Sequence, residues 1–208
     1  MKIVIIGTGA GVGLLAVTQA LEKGHQVIAL STNTETLQNH PALTKINGSA
    51  ASVADLKKAI NGADAVLITV GTKKKKGTTL FSDIAKALII ATAELRFSAP
   101  VLIITGFGSG ESANYLGFFM RTVIKLFLKD QYIDKTVMEE LMVKSSINWE
   151  IIRPGMLNNE PITESYQVFS ELKKGMKVGK ISRADVAHYL ISEAENRQNL
   201  KRCVALTS

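Results

Sequence analysis

The sequence predicts an α/β protein, a doubly wound parallel sheet with helices on both faces and a small C-terminal lobe. Three observations predict it. Short apolar runs, such as those at Ile3 to Ile6 and Val101 to Ile104, are near-continuous rather than alternating, as strands buried on both faces require. They alternate with longer stretches of helical periodicity, the pattern of a sheet covered by helices. The first run enters a turn that places Gly7 and Gly9 ahead of the first helical stretch and Gly11 and Gly13 in its opening turn.

Taken in order, Lys2 to Ile6 is the first strand. Gly11 to Lys23 is a helix whose apolar side carries Leu14, Val17 and Leu21, and Gly24 ends it. Gln26 to Leu30 is the second strand and Leu43 to Ile46 a short third. Ser52 followed by Asp55 marks the start of a helix over Val53 to Ile60. Ala65 to Val70 is the fourth strand, and Thr78 to Phe97 a long helix closed off by Pro100 before the fifth strand, Val101 to Thr105. The stretch from Tyr115 to Ser145 reads as helical with interruptions. "NWEIIRPG" makes a sixth strand that Pro154-Gly155 must stop. Beyond it come short strands at Tyr166 to Phe169 and Val178 to Ile181, a helix at Arg183 to Glu195, and a last strand at Arg202 to Leu206.

With 208 residues, 46% of them hydrophobic and 21% charged, the chain is sized for one globular domain over residues 1–208. Residues 156–181 read as a lobe segment within it. The apolar run after Met1 is too short for a signal-peptide core, and no apolar stretch approaches the roughly 20 residues that span a bilayer. A cytoplasmic protein without membrane insertion is expected, as a monomer or homodimer. A single cysteine, Cys203, excludes an internal disulfide, and its apolar neighbours mark it as a buried strand residue. His25, His40 and His188 are scattered, so no metal site is expected and each reads as a surface or supporting residue. The net charge of +7 favours anionic ligands, while the absence of a nucleic-acid recognition motif argues against nucleic acid.

In a doubly wound sheet, ligands bind beyond the carboxyl ends of the strands. The turn after the first strand has the glycines such a site needs, for positive φ, close backbone approach and exposed helix N–H groups that hold a pyrophosphate. Gly7, Thr8, Gly9, Ala10, Gly11, Val12 and Gly13 are therefore candidate cofactor contacts. The spacing G-x-x-x-G-x-G is met by Gly7, Gly11 and Gly13, whereas G-x-G-x-x-G fails at Val12. The former is the spacing of short-chain dehydrogenases/reductases; a merely structural glycine turn is the alternative.

After the second strand, Ser31-Thr32-Asn33 offers hydroxyls and an amide and no acidic residue. A carboxylate there would repel a 2′-phosphate, so NADP(H) is preferred with NAD(H) possible; an ordinary capping loop is the other reading. Gly71, Thr72 and Lys73 follow the fourth strand, glycine to lie against the cofactor and Lys73 to reach a phosphate or anionic substrate. Most of the run Lys73 to Lys76 reads as a solvated loop.

These segments, with "ADAVLITVGT", "ITGFGSGES", "WEIIRPG" and "ISRADVAHYL", together resemble the atypical short-chain dehydrogenases/reductases that include flavin and biliverdin reductases and their NmrA-like, NAD(P)H-binding relatives. The resemblance covers nearly the whole chain. It implies a Rossmann-type fold in which the glycine turn and the segments after strands two to four hold the dinucleotide, Ser49 among them. It also implies that Thr105 to Ser112 and the segment from Arg153-Pro154-Gly155 flank the nicotinamide, with substrate entering over residues 156–181. Arg183 and Asp185 are expected to cap and tether their helix rather than take part in chemistry.

The chain departs from the pattern in three places, one being Gly48-Ser49-Ala50 after the third strand, where relatives often carry an Asp near the adenine. None of Tyr115, Tyr132, Tyr166 and Tyr189 has lysine four residues later, which disfavours dehydrogenase or epimerase chemistry. Relatives end the fifth strand Thr-Ser where this chain has Thr105-Gly106, so Ser109 with Thr105 become the candidate catalytic pair. The expected activity is an NAD(P)H-dependent reduction of a flavin, quinone-like or other conjugated small-molecule acceptor. A non-catalytic NADP-binding redox sensor is the alternative, and a binder of nucleic acid or membrane surfaces a third. In "LGFFMRTVIKLFLKD" the residues Arg121, Lys125 and Lys129 form a basic stripe, and the apolar remainder is expected to supply core and pocket wall.

Overall fold

A computed structural model of the chain describes residues 1–208 apart from Lys75 and Lys174. The central strand β1 (Lys2–Ile6) has Ile3 to Ile6 wholly buried. It lies between β2 (Gln26–Ser31) and β4 (Ala65–Ile68), with β3 (Leu43–Asn47) beyond β2. On the other side follow β5 (Val101–Ile104), β6 (Trp149–Pro154) and β10 (Cys203–Thr207). These seven strands are parallel in the order β3-β2-β1-β4-β5-β6-β10, and β8 (Gln167–Phe169) adds an antiparallel edge on β10. The order reverses between β1 and β4, which opens a crevice at their carboxyl ends.

Two helices, α1 (Gly11–Glu22) and α6 (Arg183–Asn196), cover one face, and their apolar residues join Ile3, Ile5, Leu67 and Ile152 in one core. The opposite face packs Val4, Ile6, Val66 and Ile103 under α2 (Val53–Ile60), α3 (Leu80–Glu94) and α5 (Lys129–Lys144). Burial on both sides is why the strands are near-continuously apolar. A doubly wound parallel sheet with helices on both faces is thus observed as predicted.

Differences at element ends have local causes. The fourth strand stops at Ile68 because the Thr69 hydroxyl turns back to donate to the carbonyls of Ile6 (2.9 Å) and Gly7 (3.1 Å). The long helix starts at Leu80 rather than Thr78, where the Asp134 carboxylate accepts from the N–H groups of Phe81 and Ser82. Ser52 and Ser182 cap α2 and α6, each accepting from the N–H three residues on. The segment after β6 pairs β7 (Met156–Asn158) with β9 (Lys180–Ser182).

Three expectations are corrected, while the helical stretch with interruptions is observed as expected. Cys203 is half-buried, and burial pushes its thiol up to about 11. His25 is buried, its Nε2 2.8 Å from Glu195. The interrupted helical stretch comprises a 3₁₀ turn at Gly110–Tyr115, α4 (Phe118–Val123), a π-helical segment at Ile124–Leu128, and α5. Far from supplying core, the first part of this stretch exposes most of its apolar side chains, and Ile124 is its buried hydrophobic residue.

Glu150 lies wholly buried in β6, where the Tyr189 hydroxyl donates to its Oε1 at 2.6 Å and its Oε2 has no partner. Burial raises this carboxyl to about 8. The folded state therefore holds a proton that the unfolded chain releases near pH 4.5, and stability falls as pH rises from there through about 8. Thermal melts between pH 6 and 9 should show this loss, and Glu150→Gln should abolish it, gaining about 2–4 kcal/mol at the alkaline end. A wild-type melting profile that is flat over this range would contradict the assignment.

Candidate functional site

At the carboxyl ends of the strands lies a cavity of about 980 Å³, at the upper end of the range of cofactor pockets. Its floor is the turn between β1 and α1. Gly7 adopts φ +94° with its Cα against the backbone of Val70, where a Cβ would come within 2.8 Å. A Cβ on Gly13 would run into the carbonyl oxygen of Gly7 and the hydroxyl of Thr69. Only glycine lets the helix sit this close to the strand, and that approach aims the first turn of α1 into the cavity.

The start of α1 suits an anion. Ala10 provides no side-chain cap and the first turn holds no acidic residue, so its N–H groups and the helix dipole face the cavity uncompensated. The Arg183 side chain adds a full positive charge, lying 3.7 Å from where a Cβ on Gly11 would stand. Its guanidinium is steered by the Asn158 carbonyl at 3.0 Å and the Asn159 side chain at 2.8 Å. Arg183 thus lines the cavity, contrary to the purely structural role expected of it. Asp185 does tether the fold: fully buried, it accepts from the N–H groups of Thr163 and Glu164 and from the Ser182 hydroxyl.

One end of the cavity is walled by Ser31, Thr32, Asn33, Ser49 and Gly48, and its middle by Gly9, Ala10, Gly11, Val12, Gly71, Thr72 and Lys73. Lys75 lies outside the described residues. The other end is formed by Ile104, Thr105, Leu80 and Lys135. Of the remaining candidates, Thr8 is buried beneath the turn and Gly13 against Gly7. Pro154 and Gly155 lie behind the wall, tied to Phe107 and Leu206 through backbone hydrogen bonds.

Ser109 does not face the cavity. It is wholly buried, and its hydroxyl donates to Glu139 at 2.6 Å, as does that of Thr105 at 2.6 Å. Glu139 is itself buried and receives Arg153 through Nη2 at 2.8 Å and Nε at 3.2 Å. This four-residue network shapes the loop after β5 from behind; its hydroxyls are committed to a carboxylate and have little freedom to serve a substrate.

The group that does reach the cavity from this side is Lys135. Its Nζ donates to the Thr105 carbonyl at 2.5 Å and lies about 5 Å from the ring centroids of Phe81 and Tyr132. Burial lowers its ammonium to about 8, against the opposing pull of Glu139. Lys135 and Glu139 escaped the sequence reading because they belong to no contiguous motif, whereas Arg153, inside "WEIIRPG", is turned to Glu139. The one local trace is the i, i+4 spacing that puts Lys135 and Glu139 on the same side of α5.

This crevice, with an uncapped helix start and a glycine turn under it, defines a dinucleotide-binding Rossmann-type protein. The chain matches the model of the NAD(P)H-binding family over residues 7–197, and it belongs to that family. It is 25% identical over 217 aligned positions to the uncharacterized sugar epimerase YhfK of Bacillus subtilis (strain 168), covering 100% of this chain and 94% of that protein. Among solved structures, SP1627, a proposed NADH-flavin reductase from Streptococcus pneumoniae TIGR4, superposes with a TM-score of 0.80 at 21% identity, over 100% of this chain and 99% of that one. ChuY, an anaerobilin reductase from Escherichia coli O157:H7, gives 0.79 at 20% identity, over 100% and 97%. The NAD(P)H-binding family that the motifs resemble is borne out, and the solved structures bear out its Rossmann-type fold.

Removing Arg153 would strand the buried Glu139 carboxylate. Arg153→Ala should lower stability by about 3–5 kcal/mol, whereas Ser109→Ala, which leaves the ion pair in place, should cost about 1–2 kcal/mol. Urea unfolding of the two variants checks the ranking; equal costs would show that the pair is not what holds the loop.

Proposed function

We propose that the protein is an NADPH-dependent reductase of a flavin, quinone-like or other conjugated acceptor. The observation that carries this reading is the division of labour along one continuous cavity: phosphate-compatible groups at the start of α1, and at the far end a lysine but no activated tyrosine. The family membership supports a nicotinamide dinucleotide, and the names of SP1627 and ChuY favour reduction of a conjugated acceptor.

The residues present fit such a cofactor. In this reading the N–H groups at Gly11, Val12 and Gly13 with Arg183 hold the pyrophosphate, and Ser31, Thr32 and Asn33 receive the 2′-phosphate as donors. Gly71, Thr72 and Lys73 lie against the nicotinamide half, and Thr105 closes the wall beyond it. Bound NADPH would supply a hydride from its nicotinamide ring. The chain then has to hold the acceptor against that face, exclude water and provide one proton. Lys135, opening on the cavity with its pKa near 8, is the group placed to give that proton and to steady negative charge developing on the acceptor. Thr105 and Ser109 act in this scheme through Glu139, as positioning residues.

The name of YhfK raises epimerase chemistry. That chemistry draws on a tyrosine whose pKa a neighbouring lysine lowers. Here Tyr132 precedes Lys135 by three residues, and burial raises its hydroxyl instead. The reductase reading is therefore preferred.

Titration with NADPH and NADH followed by nicotinamide fluorescence, then addition of FMN or a quinone while absorbance of the reduced cofactor is recorded, tests the proposal. Tighter binding of NADPH and oxidation only when acceptor is present are expected; binding without turnover across an acceptor panel would overturn the reductase and leave a sensor. Arg183→Gln should weaken NADPH binding about tenfold or more through loss of a charged contact, with an unchanged melting temperature. The pH profile of kcat/KM should fall above about 8 in the wild type. In Lys135→Met the profile should be flat there; a persisting fall would remove Lys135 from proton delivery.

A further inference from the structure

The segment Phe118 to Lys129 turns outward the side chains a soluble helix ordinarily buries. Phe118 is 87% exposed, Phe119 72%, Leu126 67% and Phe127 58%. Such a contiguous apolar surface needs an explanation where scattered exposed residues would not. Arg121, Lys125 and Lys129 are exposed among these side chains, and no acidic residue occurs from Tyr115 to Lys129.

A second basic element stands beside it. The loop after β4 is fastened to the start of α5, where Gln131 donates to the carbonyls of Thr72 and Lys74 and Gly77 donates to the Asp130 carboxylate. These bonds set the exposed Lys73, Lys74 and Lys76 next to the apolar segment. They also engage Asp130, the nearest carboxylate in sequence. Six exposed cations thus stand among or beside a patch of aromatic and aliphatic side chains that face water.

We propose that this face docks on an anionic phospholipid surface, the phenylalanines and Leu126 entering the interface and the lysines and Arg121 meeting lipid headgroups. Both halves of the patch are what an interfacial segment uses: apolar burial at the headgroup boundary, and attraction of basic residues to negative lipid. The charge argues against a second copy of the chain, because a twofold contact would set the same cations against each other. Duplex nucleic acid, whose bases are already stacked, would account for the cations and leave the exposed phenylalanines and Leu126 unburied. The π-helical segment at Ile124–Leu128 anchors the patch, since Ile124 packs on the loop at Gly108 while its neighbours face outward. The patch consequently lies beside the Thr105 and Lys135 end of the cavity. No helix among the described residues is long and apolar enough to cross a membrane, so the contact is one of surface attachment.

Co-sedimentation of the intact protein with vesicles of equimolar phosphatidylcholine and phosphatidylglycerol, beside vesicles of phosphatidylcholine alone, tests the proposal. Binding to the anionic vesicles only, weakened by salt, is expected. Arg121→Gln and Lys125→Gln should each lower it about fivefold, and the double substitution Phe118→Ser with Phe119→Ser about tenfold or more, with melting temperatures unchanged because all four side chains are exposed. No binding to either vesicle, or binding that these variants leave intact, would overturn the proposal. So would a wild-type dimer in gel filtration that the phenylalanine substitutions convert to monomer, or retention on duplex DNA without vesicle binding.

Discussion

The ligand end of the molecule depends on one steric constraint, the contact of α1 with the strand that precedes it. Gly13 lies so near the Gly7 carbonyl, and Gly7 so near Val70, that neither position has room for a side chain. The Thr69 hydroxyl, bonded to the carbonyls of Ile6 and Gly7, ties the end of β4 into the same junction. With the helix held there, its uncapped N-terminus points into the crevice where strand order reverses. A larger residue at either glycine would push α1 away and rotate that N-terminus off the cavity, even with the rest of the sheet intact.

Around this junction the fold sets buried charges with committed partners. Asp185 gathers the backbone of Thr163 and Glu164 and the cap of α6, joining the segment after β7 to the start of that helix. Glu139 gathers Arg153, Thr105 and Ser109, joining α5 to the ends of β5 and β6. Each carboxylate replaces its lost hydration with several hydrogen bonds, so the cost of burying it is offset only when every contributing segment is in place. Glu150 is the exception: with a hydroxyl partner and no cation, it is a carboxyl that the folded state prefers to keep protonated.

Elements with a strong local pattern were legible. The runs of β-branched and aliphatic residues located the parallel strands within a residue or two, because burial on both faces leaves no polar alternation to confuse them. Ser52 marked a helix start through its own hydroxyl, whereas the matching cap at Ser182 came from the structure. Less legible was the stretch from Tyr115 onward. Its apolar residues carry helical spacing, but spacing alone does not say whether a neighbouring element exists to cover them, and for Phe118, Phe119 and Leu126 none does. Ser109 was misread for a related reason. A serine after a strand in a crevice suggests a reactive hydroxyl, yet its direction is set by Glu139, thirty positions along the chain.

The sequence by itself determined the architecture and the place of the site, because strand burial, glycine conformation and helix capping are properties of a few adjacent residues. Only the tertiary structure decided which side chains enter the cavity. Arg183 reaches Gly11 from the far end of the chain, and Lys135 reaches the Thr105 carbonyl from a helix whose sequence shows no such motif. Contacts of this kind depend on how helices pack across the sheet, and packing is settled by the summed fit of many distant surfaces, which no local stretch encodes.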